Sequence, residues 1–183
     1  MYRLHLEAFQ RYLISLVAPA NPATILDAGC GEGHLAALLR EHHPGAAITG
    51  LDTSVGAVQY ARETFGASAE FVTGDLFNLP FGDRTFDVVL CSEVLEHLNN
   101  PARALVELKR VARRRVVLTV PLEPWFKRFN DIGRALGVSG DPGHVQFWSH
   151  RGFKAFVSTM HPGAEFSRKH YYQAAVLSLD ESN

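Results

Sequence analysis

Three side chains able to hold a cation or move a proton fall within one short stretch, Ser92-Glu93-Val94-Leu95-Glu96-His97-Leu98. Glu93, Glu96 and His97 stand at i, i+3 and i+4, so a single helical turn would place all three on one face. Two carboxylates and an imidazole so grouped could bind Mg²⁺ or Mn²⁺, and His144, in Gly143-His144-Val145-Gln146-Phe147-Trp148, could supply a further ligand. Without a metal, the same imidazoles are candidate general bases, because histidine titrates near neutrality. His144 is the first choice, since a glycine-rich stretch would carry it over a cleft as part of a lid, and His97 is the second.

A second constellation is the run Asp27-Ala28-Gly29-Cys30-Gly31-Glu32-Gly33. It follows apolar Ile25 and Leu26 and precedes the helical apolar pattern Leu35 to Leu39, and so reads as strand, glycine turn and helix. Such a turn exposes backbone N–H groups at a helix start, where an α/β sheet takes nucleotide-type cofactors. A dinucleotide fingerprint would need its third glycine where His34 stands, and no Gly-Lys-Ser/Thr follows for a triphosphate loop. Two further acids end predicted strands, Asp52 after Ala47 to Leu51 and Asp75 after Glu70 to Thr73. Each alone would read as a turn or cap residue.

Asp27-x-Gly29-x-Gly31-x-Gly33, Leu51-Asp52-Thr53-Ser54, Gly74-Asp75-Leu76 and Phe86-Asp87-Val88-Val89-Leu90-Cys91, in that order, resemble the class I S-adenosylmethionine-dependent methyltransferases from about Thr24 to Pro121. The resemblance implies roles for particular residues. Asp52, with Thr53 beside it, would accept hydrogen bonds from both ribose hydroxyls. Asp75 would take the adenine amino group with Leu76 against the ring, and the backbone of Gly29, Cys30 and Gly31 would approach the amino-acid and sugar portions. Cys91 and Ser92 would flank the methionine end, and Asp27 would orient the loop. No general base is tied to Cys30 or Cys91 by sequence, so both read as small buried side chains rather than nucleophiles.

The implied reaction is an in-line methyl transfer from S-adenosylmethionine to a small-molecule acceptor, at oxygen rather than nitrogen or carbon, with S-adenosylhomocysteine as product. Two alternatives remain, a metal-assisted RNA 2′-O-methyltransferase and a non-catalytic S-adenosylmethionine-binding partner subunit. The Glu-x-x-Glu-His segment is similar to the metal site of small-RNA 2′-O-methyltransferases and to a segment of ubiquinone-pathway O-methyltransferases. Leu-Glu-His at this position also resembles that of many small-molecule methyltransferases in which no metal is expected and the glutamates are solvated or cap the next turn, so a divalent metal is possible here but not expected.

These groups need a scaffold that brings strand ends together. Strands are predicted at Thr24 to Asp27, Ala47 to Leu51, Glu70 to Thr73, Phe86 to Cys91 and Val116 to Val120. Helices are predicted from about Gly33 to His42, from about Val55 to Phe65, and at Pro101 to Ala112, the last with Asn100 as N-cap. The alternation predicts a Rossmann-like, doubly wound, mostly parallel sheet in three αβα layers. Beyond it, 121–148 reads as an inserted lid with a helix over Trp125 to Leu136 and a loop over Gly137 to Gly143. Trp125, Phe126 and Phe129 there could stack an acceptor or seat the lid. Ser149 caps a helix carrying Phe153, Phe156, Val157 and Met160 on one face, followed by strands at Ala164 to Phe166 and Tyr171 to Leu179, the C-terminal one antiparallel. At the other end Leu6, Phe9, Leu13 and Leu16 mark an amphipathic helix over 1–18 packing on the domain's edge.

With 183 residues and 46% hydrophobic content the chain can bury one good core, so 1–183 reads as a single domain. A formal net charge of -1 gathers neither nucleic acid nor anionic membrane, which leaves small molecules as partners. The basic cluster Arg110, Arg113, Arg114 and Arg115 lies between a helix and the fifth strand, away from the strands' carboxyl ends, and reads as a solvated helix-ending run rather than an RNA surface. Two cysteines suggest a reducing, cytoplasmic setting. Arg3, Glu7, Gln10 and Arg11 interrupt the first segment, unlike a signal peptide, and no apolar run approaches the roughly 20 residues that span a bilayer. Oligomeric state is not legible.

Overall fold

The structure is a computed structural model that describes residues 2–122 and 143–179. The expected lid helix, with Trp125, Phe126 and Phe129, lies outside the described residues. Along the chain run α1 (Tyr2–Val17), a 3₁₀ turn (Ala18–Ala20), β1 (Thr24–Ala28), α2 (His34–His42), β2 (Ala47–Asp52), α3 (Val55–Phe65), β3 (Glu70–Thr73) and β4 (Phe86–Ser92). A 3₁₀ turn (Leu95–His97), α4 (Pro101–Val111), β5 (Ala112–Pro121), α5 (His150–Met160), β6 (Glu165–Lys169) and β7 (Tyr172–Ser178) follow.

The seven described strands form one sheet in the order β3-β2-β1-β4-β5-β7-β6. The first five are parallel, with Leu26 beside Thr49 and Val89, and Cys91 beside Leu118. β7 runs antiparallel to β5 and pairs with β6 as a hairpin. Strand order reverses between β1 and β4, so the glycine loop after β1 opens at the switch point where such sheets bind ligands.

Local chemistry explains the helix starts. Ser54, Asn100 and Ser149 accept hydrogen bonds from the backbone N–H groups of Ala57, Arg103 and Gly152, and Pro101 occupies a first-turn position whose N–H needs no partner. The central strands β1, β4, β5 and β7 are buried on both faces, as their near-continuous apolar runs require. On one face Leu105 and Leu108 of α4 and Phe153 and Val157 of α5 pack together. On the other, Phe9, Leu13 and Val17 of α1 join Leu39, Val58 and Ala61. These are the three expected layers. No helix among the described residues is long and apolar enough to cross a membrane.

Two expectations need correction. β5 begins at Ala112, so Arg113, Arg114 and Arg115 lie within the strand and do not form a solvated helix end. Arg113 pairs with buried Asp87 at 3.0 Å, Arg115 donates to the Leu16 carbonyl at 3.1 Å, and Arg110 is clamped by Glu107, Asp83 and the carbonyls of Leu79 and Phe81. The cluster ties elements together at the amino end of β5. The second correction concerns α1, which contributes to a core and also borders the carboxyl end of β1 rather than merely covering an edge.

Candidate functional site

The glycine loop takes its shape from three left-handed residues, Gly29, Gly31 and Gly33, with φ of 87°, 52° and 84°. Two of these positions are also closed sterically: a Cβ on Gly29 would strike the Val94 side chain, and one on Gly33 would come within 2.8 Å of the Phe71 ring and 2.9 Å of Ala61. The loop is further fixed by its own hydrogen bonds. Gly29 and Cys30 N–H donate to the Leu51 carbonyl at 2.7 and 3.0 Å, Gly33 N–H donates to the Cys30 carbonyl at 3.0 Å, and Gly31 N–H donates to Asp52 Oδ2 at 2.9 Å. Asp52 Oδ1 accepts from Ser54 N–H at 2.8 Å. Each carboxylate oxygen has a second lone pair, so Asp52 can brace the loop and still accept from a ligand hydroxyl.

Asp27 is 2% exposed at the end of β1, and its Oδ2 has no partner. Burial, and then the charge of Asp52, pushes its carboxyl up to about 7. Burial does the same to the Cys30 thiol, pushed up to about 12 with help from Asp27 and Asp52. Neither cysteine has thiolate character; Cys91, fully buried in the core, is raised further by burial and by Glu96. A cavity of about 220 Å³ opens here, lined by Asp27, Gly29, Cys30, Leu35, Ser92 and Glu93 and roofed by Phe9, Gln10 and Leu13 of α1.

The remaining sequence candidates are distributed around this cavity unevenly. Ser92 lines it and Cys91 does not. Thr53 and Asp75 are exposed at the ends of β2 and β3, and Asp75 Oδ1 accepts from Phe77 N–H at 2.8 Å. Leu76 packs into the core. The α1 residues were not predicted as site residues. One signal was available: Gln10 is a polar residue at an i, i+3, i+4, i+7 position with Leu6, Phe9 and Leu13, where an apolar stripe calls for an apolar side chain.

Beyond β4 the chain does not make the expected helical turn. Glu93 has φ of 57°, its N–H donates to the Thr119 carbonyl, and the tight Leu95–His97 turn follows. Among the described residues the grouping that could hold a metal ion is Glu96, His97 and His144, whose ligand atoms all lie within 4.8 Å of one another; Glu93 stands outside it. Glu96 is 1% exposed and neither carboxylate oxygen has a partner, so it is not a solvated glutamate. Burial pushes it up to about 7, and Glu93 is raised by burial and by Glu96. His97 Nδ1 lies 3.2 Å from the Gly143 carbonyl, which can only accept, so Nδ1 is the donor and Nε2 stays outside that bond. The His97 and His144 rings meet edge to face at 4.7 Å. Val145 and Gln146 N–H groups both donate to the Glu96 carbonyl at 2.9 Å, and Gln173 donates to the Trp148 carbonyl, which anchors this stretch over the strand ends.

A family described as Methyltransferase domain matches residues 26–120, the segment from β1 to the end of β5. The chain belongs to the class I S-adenosylmethionine-dependent methyltransferases. It is 35% identical over 123 residues to a demethylmenaquinone methyltransferase of Thermotoga maritima, covering 66% of this chain and 53% of that protein. It is 38% identical over 93 residues to a malonyl-[acyl-carrier protein] O-methyltransferase of Geobacter sulfurreducens, covering 50% of this chain and 35% of that one. The chain thus spans about half the length, or less, of these relatives. Among solved structures, magnesium protoporphyrin IX methyltransferase from Synechocystis with bound S-adenosylhomocysteine shares the fold at a TM-score of 0.73 and 21% identity, covering 97% of this chain and 85% of that one.

Proposed function

We propose that this chain binds S-adenosylmethionine across the carboxyl ends of β1, β2 and β4 and transfers its methyl group to a small-molecule acceptor at oxygen or carbon. The observation that carries the reading is the junction of Asp52 with the glycine loop, beside a cavity whose buried Asp27 and Glu93 each hold an unpartnered oxygen. The cavity fits the donor, since it offers unpartnered carboxylate oxygens to a ligand that carries an ammonium and a sulfonium. When bound, the donor supplies an electrophilic methyl.

The chain's own residues have three tasks. Asp52 holds ribose hydroxyls while bracing Gly31, and Ser92 and the α1 roof border the amino-acid end. Asp75, two residues past the end of β3, would take the adenine side. His97 and His144, whose rings meet at 4.7 Å four or more residues beyond the cavity-lining Glu93, would offer an imidazole lone pair to take an acceptor's proton as it attacks. Exposed Val145 and Phe147 beside them favour an apolar acceptor. Oxygen and carbon acceptors are both in keeping with the relatives, one named for demethylmenaquinone and one for an O-methyl transfer to malonyl-[acyl-carrier protein].

A second reading has an observation of its own. Glu96, His97 and His144 supply one oxygen and two nitrogens at mutual distances suited to a divalent cation, and a carboxylate buried without a partner gains most from one. There the three would hold Mg²⁺ or Mn²⁺, whose chemistry is to polarise the acceptor oxygen. An RNA acceptor is not favoured, because the arginines lie at the opposite end of β5. A radiolabelled-methyl assay over demethylated quinols and acyl carboxylates tests the first reading, with transfer expected to at least one class. Activity that survives exhaustive chelation keeps the base reading and eliminates the metal; activity abolished by chelation and restored by Mn²⁺ selects it.

A further inference from the structure

Among the side chains that line it, the cavity under α1 is rich in acceptors and poor in donors. Asp27 Oδ2 and Glu93 Oε1 are buried without partners. By contrast, the N–H groups of Gly29 and Cys30 are engaged by the Leu51 carbonyl, that of Gly33 by the Cys30 carbonyl and that of Gly31 by Asp52, and the Ser92 hydroxyl lies 2.9 Å from Thr119 Oγ1. An amino-acid head group brings an ammonium that needs acceptors and a carboxylate that needs donors. The two buried carboxylates suit the first, and the loop has little left for the second.

Among the described side chains that line the cavity, Gln10 is the one that carries N–H groups. It projects from a helix that is firmly held. Phe9 stacks on Tyr172 at 3.8 Å, Tyr12 Oη bonds Ser167 Oγ at 2.6 Å, the Leu16 carbonyl accepts from Arg115, and Leu13 and Val17 are buried. A side chain on so fixed an element is placed before a ligand arrives. We propose that Gln10 binds the amino-acid carboxylate of the methyl donor through its side-chain amide, with Asp27 and Glu93 facing the ammonium. The assignment rests on the donor reading above and makes α1, which lies outside the matched 26–120 segment, part of the donor site.

Calorimetry on the full chain tests it with two ligands, S-adenosylhomocysteine and its decarboxylated analogue, which keeps the ammonium and loses the carboxylate. Gln10→Met preserves length and packing without the N–H groups. The variant should bind S-adenosylhomocysteine about tenfold or more weakly, as loss of one hydrogen bond to a charged group requires, and should bind the analogue as the wild type does. Gln10→Glu, which sets a charge against the ligand carboxylate, should lose more with S-adenosylhomocysteine and nothing with the analogue. Wild-type binding that Gln10→Met leaves unchanged, or weakens equally for both ligands, overturns the inference alone. Failure of the wild type to bind S-adenosylhomocysteine overturns the donor reading beneath it.

Discussion

Asp27 shows what a residue type can and cannot announce. Its place before Gly29 was legible as part of a loop motif, but nothing in the one-dimensional pattern said that its carboxylate would be buried with an oxygen unpartnered. Burial is a tertiary property, here produced by α1 and β4 closing over the end of β1. The consequence is a pH dependence. The folded Asp27 keeps its proton up to about 7, whereas in the unfolded chain it would lose it near 4. The native state therefore binds more protons across that window, so stability should fall as pH rises from about 4 to 7 and level off above it. Asp27→Asn removes this contribution, and chemical denaturation should show a shallower loss between pH 5 and 7.5; the slope that remains belongs to Glu96, pushed up to about 7 as well, and to Glu93, raised by burial and by Glu96. A ligand ammonium favours the ionised acid, so S-adenosylhomocysteine affinity should increase from pH 6 to 8 in the wild type and much less in Asp27→Asn.

At the scale of elements, the glycine loop separates two costs that one substitution type usually mixes. Gly33→Ala meets both a left-handed φ and the Phe71 and Ala61 side chains, and overpacking plus backbone strain should lower stability by about 2–4 kcal/mol. Gly31→Ala meets the φ alone, with nothing within 4 Å of the added Cβ, and should cost about 1 kcal/mol. Urea titrations of the pair give the ordering; equal losses would contradict the packing described. Helix starts were legible because Ser54, Asn100 and Ser149 act on their own turns. The stretch after β4 was not. Its left-handed Glu93 arises from pairing with Thr119 of the neighbouring strand, so a local helical spacing misassigned the shared face and only Glu96 and His97 join His144. The arginines misled for the same reason, since their partners Asp87 and the Leu16 carbonyl come from distant elements.

The whole molecule is organised with its fastening and its chemistry at opposite ends of the sheet. At the amino ends, Asp87 accepts from Ala23 and Thr24 N–H and from Arg113, which joins the approach to β1 with β4 and β5. At the carboxyl ends lie the loop, the cavity and the histidines. Asp87→Ala should therefore lower stability by about 1–2 kcal/mol in thermal or chemical unfolding, by removing its hydrogen bonds to Ala23 and Thr24 N–H and its pair with half-exposed Arg113, while S-adenosylhomocysteine affinity stays as in the wild type. The doubly wound order could be anticipated, because βαβ units with short connections permit few alternatives. Where α1 docks could not, because periodicity identifies an apolar face and not the surface that receives it.

We assign the loop from Asp27 to Gly33, braced by Asp52, to S-adenosylmethionine. Calorimetric titration of the chain with S-adenosylhomocysteine at pH 8 tests this assignment most directly. One saturable site is expected, weakened by about 1–3 kcal/mol in Asp52→Ala through loss of the ribose hydrogen bonds and of the brace on Gly31. Absence of binding by the folded wild type, or affinity unchanged in Asp52→Ala, would contradict the account.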